Sequence, residues 1–560
     1  MQPFKLFAVL LIASLLFACK SPTQGVIADQ AMVVTAHPDA SAIGHDILRM
    51  GGNAYDAAIA VQFALAVAYP RAGNIGGGGF AVIRTADGQS TTLDFREKAP
   101  LAASETMYLD ELGKPIEKLS TLGHYAVSVP GTVRGMWDLH QKYGSIPWPA
   151  LIEPAYYLAK NGVVLTEAEA KKLNDFQEAF YSANDHAIVT LKDNGWQAGD
   201  TIVYQELAAT LKRIQEQGVT DFYEGQTAQY IVEEMQRNEG IITLEDLKKY
   251  EAKWREPLTG KYKDYTVISM PPPSSGGICL LQLLQGIEAA GIVQAEHNSP
   301  AYIHMLSELE RRAFADRATY LGDADFYPVP IDSLLDPEYI AENLADFDLE
   351  SATPSNSIKA GEVNVVESIE TTHFSIVDAK GNAIALTTTL NGNYGSKVMV
   401  KGAGFFLNNE MDDFSVKPGV PNMFGLVGAE ANKIEAEKRM LSSMTPTILE
   451  KEGELFMVVG TPGGSTIITS VFQTILNVVD HGMTMQEAVN AKKVHHQWLP
   501  DRILHEPNAF SKQTKAALEA MGHTFEERTY IGKVDAILVL PDGRLEGAAD
   551  PRGDDVAMGF

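Results

Sequence analysis

Thr371 is the residue whose position in the sequence most directly suggests chemistry. The stretch from Glu350 to Glu367 before it is dominated by Ser, Thr, Pro, Asn, Lys and Gly, which is typical of a linker. The segment 372–377 alternates like a strand, 378–382 has turn composition, and 383–390 alternates again, so a β-hairpin is predicted. Thr371 therefore stands at the start of a strand, directly after a predicted linker.

A threonine in this position could become a nucleophile if the bond before it were cut. A hydroxyl is a poor nucleophile without a base, and a chain that begins with threonine supplies its own α-amine as that base. A free α-amine has a pKa of about 8, which suits proton transfer near neutral pH. Strands also begin with threonine for no chemical reason, so the pattern alone leaves both interpretations open.

Several segments of this chain, in the same order, resemble the γ-glutamyltransferase family. The segment Glu370–Asp378 is similar to the family's processing site, where the chain cuts itself. The other matching segments are 51–54, 76–80, 94–97, 129–131, 407–414, 417–419, 441–447, 460–465, 495–500 and 550–552. The resemblance covers nearly everything after residue 30, and so many independent motifs make a chance match very unlikely.

The resemblance implies an α+β fold, the four-layer αββα sandwich of the N-terminal nucleophile hydrolases. It implies cleavage between Glu370 and Thr371 into a large subunit, 19–370, and a small catalytic subunit, 371–560, which stay together as a heterodimer. The implied substrates are γ-glutamyl amides such as glutathione. Their γ-glutamyl group would pass to Thr371 as an ester, and then to water or to an amino-acid or peptide acceptor.

The family's catalytic positions fall on four residues of this sequence. The resemblance makes Thr371 the nucleophile and Thr389 the hydroxyl that hydrogen-bonds it. It also implies that the backbone N–H groups of Gly463 and Gly464 stabilise the oxyanion. Taken alone, Thr389 could reflect only the strand preference of threonine, and Pro-Gly-Gly could be an ordinary tight turn.

The glutamyl group carries an α-carboxylate and an α-ammonium, so a specific site needs opposed charges. The resemblance assigns the carboxylate to Arg96, which can bind it bidentately, with hydroxyl donors from Ser442 and Ser443. It assigns the ammonium to three further residues, Asn391, Glu410 and Asp413. Taken alone, any of these residues could be a surface charge or a turn residue.

The chain departs from the family pattern at three positions. Glu410 replaces the glutamine common in bacterial relatives, which would strengthen the hold on an ammonium. Met440 replaces the usual proline. Phe424 lies in a stretch, 418–428, that resembles the family's lid, at a position where many relatives carry tyrosine. We therefore expect altered substrate access rather than lost activity.

The N-terminus has the pattern of an export signal. Lys5 precedes the apolar run 6–17, which is too short to span a bilayer comfortably, and Leu16–Cys19 resembles a bacterial lipobox. The sequence thus predicts removal of residues 1–18 and lipidation of Cys19. The protein would then be anchored on the periplasmic or cell-surface side, and Lys20 favours the outer membrane. The alternative is an ordinary signal peptide with an incidental cysteine.

Composition excludes several other classes of partner and site. The formal net charge is -27, so nucleic acid and anionic lipid are disfavoured as partners. Once Cys19 is lipidated, Cys279 has no partner for a disulfide, and no Cys-x-x-Cys metal site exists. Glycines 73–79 precede a strand rather than a helix, which argues against a nucleotide site. No cofactor or metal is predicted, and His495 and His496 are interpreted as structural.

Two other functions compete with this interpretation. The first is an acylase of the same fold that acts on glutaryl-cephalosporin amides, which would not need Glu410 and Asp413. The second is a catalytically silent, lipid-anchored protein that captures γ-glutamyl compounds, which would not need Thr371, Thr389 or the glycine pair.

Overall fold

The computed structural model describes residues 22–290, 295–358 and 371–560. The predicted signal peptide, Cys19, Glu370 and residues 359–367 of the predicted linker lie outside these ranges. The last four described residues before Thr371, Ser355–Ile358, form a short helix.

Two seven-stranded antiparallel sheets form the centre of the molecule. The first, sheet A, contains, in spatial order, β1 (Val26–Ala28), β18 (Leu545–Ala548), β17 (Asp535–Val539), β13 (Glu454–Gly460), β12 (Thr447–Lys451), β9 (Tyr265–Ser269) and β8 (Leu258–Tyr262). The second, sheet B, contains β19 (Val556–Gly559), β2 (Met32–Thr35), β10 (Thr372–Val377), β11 (Ala383–Thr389), β3 (Gly78–Arg84), β4 (Ser90–Asp94) and β7 (Lys253–Arg255). Two smaller sheets join β14 (Val494–His495), β15 (Ile503–His505) and β16 (Phe525–Glu527), and β5 (Val163–Val164) with β6 (Thr201–Ile202).

Helices cover the outer face of each sheet. Those that share a core with sheet B are Pro38–Arg49, Ala54–Ala68, Thr132–Tyr143, Trp148–Asn161, Glu167–Asp175, Gln177–Ala183, Gln205–Gln217, Val219–Glu224, Gln226–Arg237 and Leu244–Lys248. The later helices, which lie with sheet A, are Gly276–Ala290, Pro300–Tyr320, Ile331–Leu334, Pro337–Asn343, Thr466–Val479, Met485–Asn490 and Lys512–Ala520. Short 3-10 helices occupy His124–Ala126, Glu410–Asp413 and Glu430–Asn432.

Side-chain alternation along the strands shows how the layers stack. In β2, Val33 belongs to the core between sheet B and its helices, whereas Met32 and Val34 belong to a core that also contains residues of sheet A. In β13, Met457 and Val459 face the helices of sheet A while Val458 faces sheet B. Because successive side chains of a strand point to opposite faces, the order is helix, sheet, sheet, helix. The predicted four-layer αββα sandwich is confirmed.

The helix Ala54–Ala68 lies wholly inside the layer over sheet B, as its apolar sequence predicts. All of its residues are buried. The side chain of Asn53 accepts hydrogen bonds from the N–H groups of Tyr55 and Asp56, and Asp56 in turn accepts from the N–H of Asn53. This capping box satisfies the donors at the first turn, which a buried helix end requires.

The predicted hairpin is confirmed, and glycines at the start of β3 allow a close approach to it. β10 pairs with β11, with Thr372 opposite Thr388, and β11 pairs with β3. A Cβ on Gly77 would lie 2.0 Å from the carbonyl oxygen of Thr389, and one on Gly79 would lie 2.3 Å from that of Thr387. Any side chain here would therefore push β3 away from the strand that carries Thr389.

Among the described residues, no helix is both long enough and apolar enough to cross a membrane. Cys279 is buried within the helix Gly276–Ala290 as a free thiol.

Candidate active site

Thr371 lies one residue before β10, at the end of the hairpin where β11 finishes. Its side chain is 5% exposed, and its Oγ1 lies 3.4 Å from the Oγ1 of Thr389, a long hydrogen bond. The Thr389 hydroxyl also accepts a 2.8 Å hydrogen bond from the N–H of Asn391. The hairpin register brings the two threonines together, because Thr372 pairs with Thr388 directly beside them.

The loop after β13 brings two glycine N–H groups to this end of the sheets. Gly463 has φ 145° and Gly464 has φ 58°, both outside the range that residues with a Cβ readily adopt. Within residues 22–290, 295–358 and 371–560, neither N–H donates to a protein acceptor. Gly464 borders the same pocket as Thr371, so its N–H is available to an oxyanion formed there.

Arg96 is buried in the pocket and pairs with two of the predicted ammonium ligands. Its Nη1 lies 2.7 Å from Oε2 of Glu410, and its Nη2 lies 2.5 Å from Oδ2 of Asp413. Its backbone is fixed by Asp94, whose Oδ1 accepts from the Arg96 N–H at 3.0 Å, and by the Tyr250 hydroxyl. Arg96, the residue expected to bind the α-carboxylate, thus pairs with Glu410 and Asp413, which are expected to bind the α-ammonium. A bound glutamyl group would have to replace these contacts with its own.

Burial favours the neutral forms of the carboxyl groups around Arg96. It raises the pKa of Glu410 well above its ordinary value despite the opposing effect of Arg96, and the neighbouring Glu97 and Asp413 raise it further. Burial also raises the pKa of Asp413, and it raises that of Glu97 to about 8. One guanidinium thus faces three carboxyl groups that cannot all be charged together.

Ser442 and Ser443 are held against the loop that precedes the helix Gly276–Ala290. The N–H of Ser442 donates to the carbonyl of Pro273 at 3.0 Å, and its carbonyl accepts from the N–H of Ser275 at 2.8 Å. The Ser443 Oγ accepts a 3.1 Å hydrogen bond from Nη2 of Arg317. The sequence analysis did not single out Arg317, because it is one of several arginines in the helix Pro300–Tyr320 and nothing in that segment marks it.

The structure brings nearly all of the predicted site residues into one pocket. Gly463 is adjacent to this pocket rather than in its lining. The lining residues are Arg96, Arg317, Thr371, Thr389, Asn391, Glu410, Asp413, Phe424, Leu426, Ser442, Ser443, Met444, Gly464 and Ile467.

The segment that resembles a lid closes over this pocket. The ring of Phe424 lies so close to Gly464 that a Cβ there would be 2.5 Å from its Cδ1. Asn422 Oδ1 accepts from the N–H groups of Phe424 and Leu426, and Asn422 Nδ2 donates to Asp413 Oδ1 at 3.2 Å. The lid therefore contacts both the glycine loop and one of the acids of the pocket.

The adjacent histidines 495 and 496 point into different surroundings. His495 Nδ1 lies 2.8 Å from the Thr469 hydroxyl, whereas His496 Nε2 lies 3.2 Å from Asp501 Oδ1 and also contacts Arg311. Burial lowers the pKa of His495 to about 3 and that of His496 to about 4. Neither borders the Thr371 pocket.

The αββα sandwich, with Thr371 at the head of a central strand, is the fold of the N-terminal nucleophile hydrolases. A family model described as gamma-glutamyltranspeptidase matches residues 40–560. The chain belongs to the γ-glutamyltranspeptidase family.

Individual relatives match over nearly their whole length. The chain is 45% identical to a glutathione hydrolase proenzyme of Escherichia coli, over 96% of this chain and 93% of the relative. It is also 45% identical to the glutathione hydrolase proenzyme of Pseudomonas aeruginosa, over 100% and 99%. The crystal structure of a cephalosporin acylase from Bacillus halodurans superposes with a TM-score of 0.85 at 26% identity, covering 97% of this chain and 98% of that one.

Proposed function

We propose that this protein is a self-processing γ-glutamyltransferase and glutathione hydrolase. One observation carries the proposal. The Thr371 hydroxyl shares a pocket with a buried arginine, Arg96, and with two carboxyl groups, Glu410 and Asp413. A nucleophile beside opposed charges suits a donor that carries both an α-carboxylate and an α-ammonium. The names of the two curated relatives, glutathione hydrolase proenzymes, support the same activity.

Maturation uses the Thr371 hydroxyl on the chain's own backbone. Its oxygen attacks the carbonyl carbon of Glu370, the C–N bond to Thr371 breaks, and the acyl group moves from nitrogen to oxygen. Water then hydrolyses the resulting ester. The products are a large subunit, 19–370, with a new carboxylate, and a small subunit, 371–560, with a free α-amine on Thr371.

Turnover repeats the attack on a substrate. The α-amine of Thr371 takes the hydroxyl proton, and the oxygen adds to the γ-carbonyl carbon of the donor. The N–H groups of Gly463 and Gly464 stabilise the oxyanion, and the donor's amine leaves with the proton. Water or an acceptor amine then releases the γ-glutamyl ester. Thr389 orients the nucleophile through the hydrogen bond between the two hydroxyls.

The same pocket gives a reason to prefer γ-glutamyl over glutaryl donors. A glutaryl amide has a terminal carboxylate but no ammonium, so it would leave Glu410 and Asp413 without a positive partner apart from Arg96. A γ-glutamyl amide fills both halves of the pocket. Phe424 excludes water above the site without offering a hydroxyl, so we expect its effect to fall on substrate access.

Mass spectrometry under denaturing conditions tests self-processing. The chain from residue 20 onward would be purified as wild type and as the Thr371→Ala and Thr372→Ala variants. Thr372 is the matched control, because its buried hydroxyl is adjacent in sequence yet has no hydrogen-bond partner in the described part of the chain. We expect the wild type and the control to split between Glu370 and Thr371 and the Thr371→Ala variant to stay intact. A folded but uncut wild type would contradict the mechanism and favour the binding protein.

A pair of chromogenic anilides tests donor specificity. The processed enzyme should release p-nitroaniline from γ-glutamyl-p-nitroanilide far faster than from glutaryl-p-nitroanilide. Equal or reversed rates would favour the acylase function. Adding a dipeptide acceptor and measuring the γ-glutamyl peptide formed would separate transfer from hydrolysis.

We also propose that the protein is exported and anchored by lipid on Cys19, which lies outside the described residues. The sequence around Leu16–Cys19 supports this. A Cys19→Ala variant should move from the membrane fraction to the soluble fraction in a cell that processes lipoproteins, while an unchanged distribution would contradict the anchor.

A further inference from the structure

Arg317 is a buried cation of the pocket that forms no ion pair with a carboxylate of the described residues, although the charge of Asp413 acts on it from a longer distance. Five other buried arginines of the described structure pair with acids: Arg84 with Glu450, Arg96 with Glu410, Arg311 and Arg312 with Glu308, and Arg439 with Asp94. Arg317 is only 5% exposed and takes part in none of the ion pairs found among the described residues. A buried guanidinium that no carboxylate contacts is costly, so its position calls for an explanation.

The guanidinium of Arg317 is held by hydroxyl groups rather than by charges. Its Nε donates to the Ser275 Oγ at 2.9 Å, and its Nη2 donates to the Ser443 Oγ at 3.1 Å. In the described part of the chain, Nη1 donates to no acceptor, and the residue lines the pocket of Thr371. Burial lowers the pKa of Arg317, and Arg96 lowers it further, while Cys279 and Asp413 oppose the shift.

These contacts also determine what Ser443 can offer to a ligand. Because its oxygen accepts from Arg317, its O–H remains free to donate. Ser442 is in the same situation, since its Oγ accepts from the N–H of Met444 at 3.2 Å. Both hydroxyl groups can therefore donate to an anion in the pocket, and Arg317 donates to the oxygen of one of them, Ser443.

Arg96 is not free to bind a carboxylate by itself, because acids of the pocket already contact it. Its two Nη atoms lie 2.7 Å from Glu410 and 2.5 Å from Asp413, and Nη1 also lies 3.6 Å from Glu97. An incoming carboxylate must share Arg96 with these carboxyl groups. Among the described residues that line the pocket, Arg317 is the cation whose guanidinium no carboxylate contacts.

We propose that Arg317 is a specificity-determining residue that binds the α-carboxylate of the donor together with Ser442 and Ser443. This inference rests on the proposed γ-glutamyl function. Its contacts with the carboxylate are a direct one through Nη1 and an indirect one through the Ser443 hydroxyl. Arg96 then shares its charge between the substrate carboxylate and the acids that hold the ammonium.

A purely structural role is the competing explanation, because Arg317 also joins the Ser275 loop to the Ser443 segment. The two roles predict different ligand dependence. A structural defect would weaken every ligand of the pocket alike. Loss of a carboxylate contact would weaken only ligands that carry the α-carboxylate.

Calorimetric binding of two ligands to the processed enzyme separates these roles. The ligands are L-glutamate and its α-amide, isoglutamine, which keeps the ammonium and the γ-carboxylate but lacks the α-charge. The variants are Arg317→Gln and Arg317→Lys. Arg312→Gln is the matched control, since Arg312 is an equally buried arginine of the same helix whose ion pairs, with Glu308 and Asp346, lie outside the pocket.

We expect Arg317→Gln to raise the Kd of L-glutamate about 10- to 100-fold, the loss typical of a charged hydrogen bond. The Kd of isoglutamine should stay nearly unchanged, so the preference for glutamate collapses. Arg317→Lys should retain part of that preference, and Arg312→Gln all of it. Thermal unfolding of each variant identifies any that do not fold, and Arg317→Lys then provides the comparison.

Equal weakening of both ligands, or an unchanged preference for glutamate, would overturn the assignment. Turnover of γ-glutamyl-p-nitroanilide by the wild type is measured separately. A wild type that prefers glutamate through Arg317 but shows no turnover would sink the proposed function and leave the carboxylate site standing. A wild type that turns over the anilide, with L-glutamate and isoglutamine equally weakened in the Arg317 variants, would support the proposed function. It would overturn the assignment of Arg317 to the carboxylate.

Discussion

At the residue scale, the pocket combines several buried charges around the Thr371 hydroxyl. Arg96 faces Glu410 and Asp413, whose pKa values are raised by burial. The protonation of these carboxyl groups is therefore linked to whatever cation enters the pocket. A glutamyl ammonium needs them charged, so its binding must displace protons that the empty pocket favours.

Glu410 makes this linkage testable through pH. Because the pKa of Glu410 is raised, its neutral form persists at pH values at which an ordinary carboxyl group is already charged. The substrate ammonium should therefore bind better as the pH rises and Glu410 loses its proton. We expect the KM of the wild type for γ-glutamyl-p-nitroanilide to fall as the pH rises through the range in which Glu410 loses its proton. Glu410→Gln should flatten that dependence, because one of the two titrating groups is gone. The internal control is kcat, whose pH profile reflects the Thr371 amine and should keep its shape. An identical KM profile in both proteins would contradict the linkage.

Gly464 is a second residue whose role can be isolated. A Cβ there would collide with Phe424, and φ 58° disfavours any L side chain by about 1–2 kcal/mol. Gly464→Ala should therefore lower activity by displacing the lid and misaligning the N–H donor. Adding Phe424→Ala removes the collision but not the backbone strain, so the double variant should recover part of the loss. A double variant no better than Gly464→Ala would mean that strain alone matters.

At the element scale, one side chain ties together three segments that build the pocket. The Nδ2 of Asn408 donates to the carbonyls of Gly76 and Ser128, at 2.9 and 2.8 Å. Its Oδ1 accepts from the N–H groups of Ser128 and Glu410, at 3.0 and 3.1 Å. Asn408 thus fixes the 3-10 helix Glu410–Asp413 to the glycine loop that precedes β3.

Replacing Asn408 by alanine should leave several buried groups unpaired. Each such group costs about 1–3 kcal/mol, so we expect a clear fall in the free energy of unfolding and a raised KM as Glu410 shifts. Chemical denaturation and steady-state kinetics measure both. Asn174→Ala is the control, since that exposed side chain makes two hydrogen bonds, both to the backbone of Trp196. Water can replace these bonds, so the loss of stability should be far smaller. Equal effects of the two substitutions would show that the hydrogen bonds of Asn408 do not hold the pocket segments together.

At the scale of the whole molecule, both proposed subunits contribute strands to both sheets. In sheet B, β10 and β11 from the small subunit lie between β2 and β3 from the large one. In sheet A, β12 of the small subunit pairs with β9 of the large one. Cutting the chain before Thr371 therefore breaks no sheet.

We expect the cleaved fragments to co-elute in size-exclusion chromatography without denaturant and to unfold in one cooperative transition. The shared sheets and the core between them would have to come apart together. The uncut Thr371→Ala variant is the reference and should elute at the same volume. Separation of the fragments under native conditions would contradict this account.

The sequence by itself determined the elements and most of the chemistry. The alternation on either side of the turn 378–382 predicts the hairpin, and the apolar run 54–69 predicts the buried helix, because periodicity records which face is covered. The family motifs selected Thr371, Thr389, Arg96, Glu410 and Asp413, and the structure places these residues in one pocket. Periodicity and motifs can be identified from the sequence without knowing which distant residues become neighbours in the fold.

Only the tertiary structure decided how those residues meet. It pairs Arg96 with the acids expected to hold the ammonium, and it brings Arg317 from a helix more than 50 residues before Thr371 to the Ser443 hydroxyl. Charge pairing and exposure depend on which side chains the packed layers bring together, and the order of residues along the chain does not encode that directly. Arginine is normally exposed, and within the buried helix Pro300–Tyr320 only Arg317 is an arginine without an ion pair to a carboxylate of the described residues.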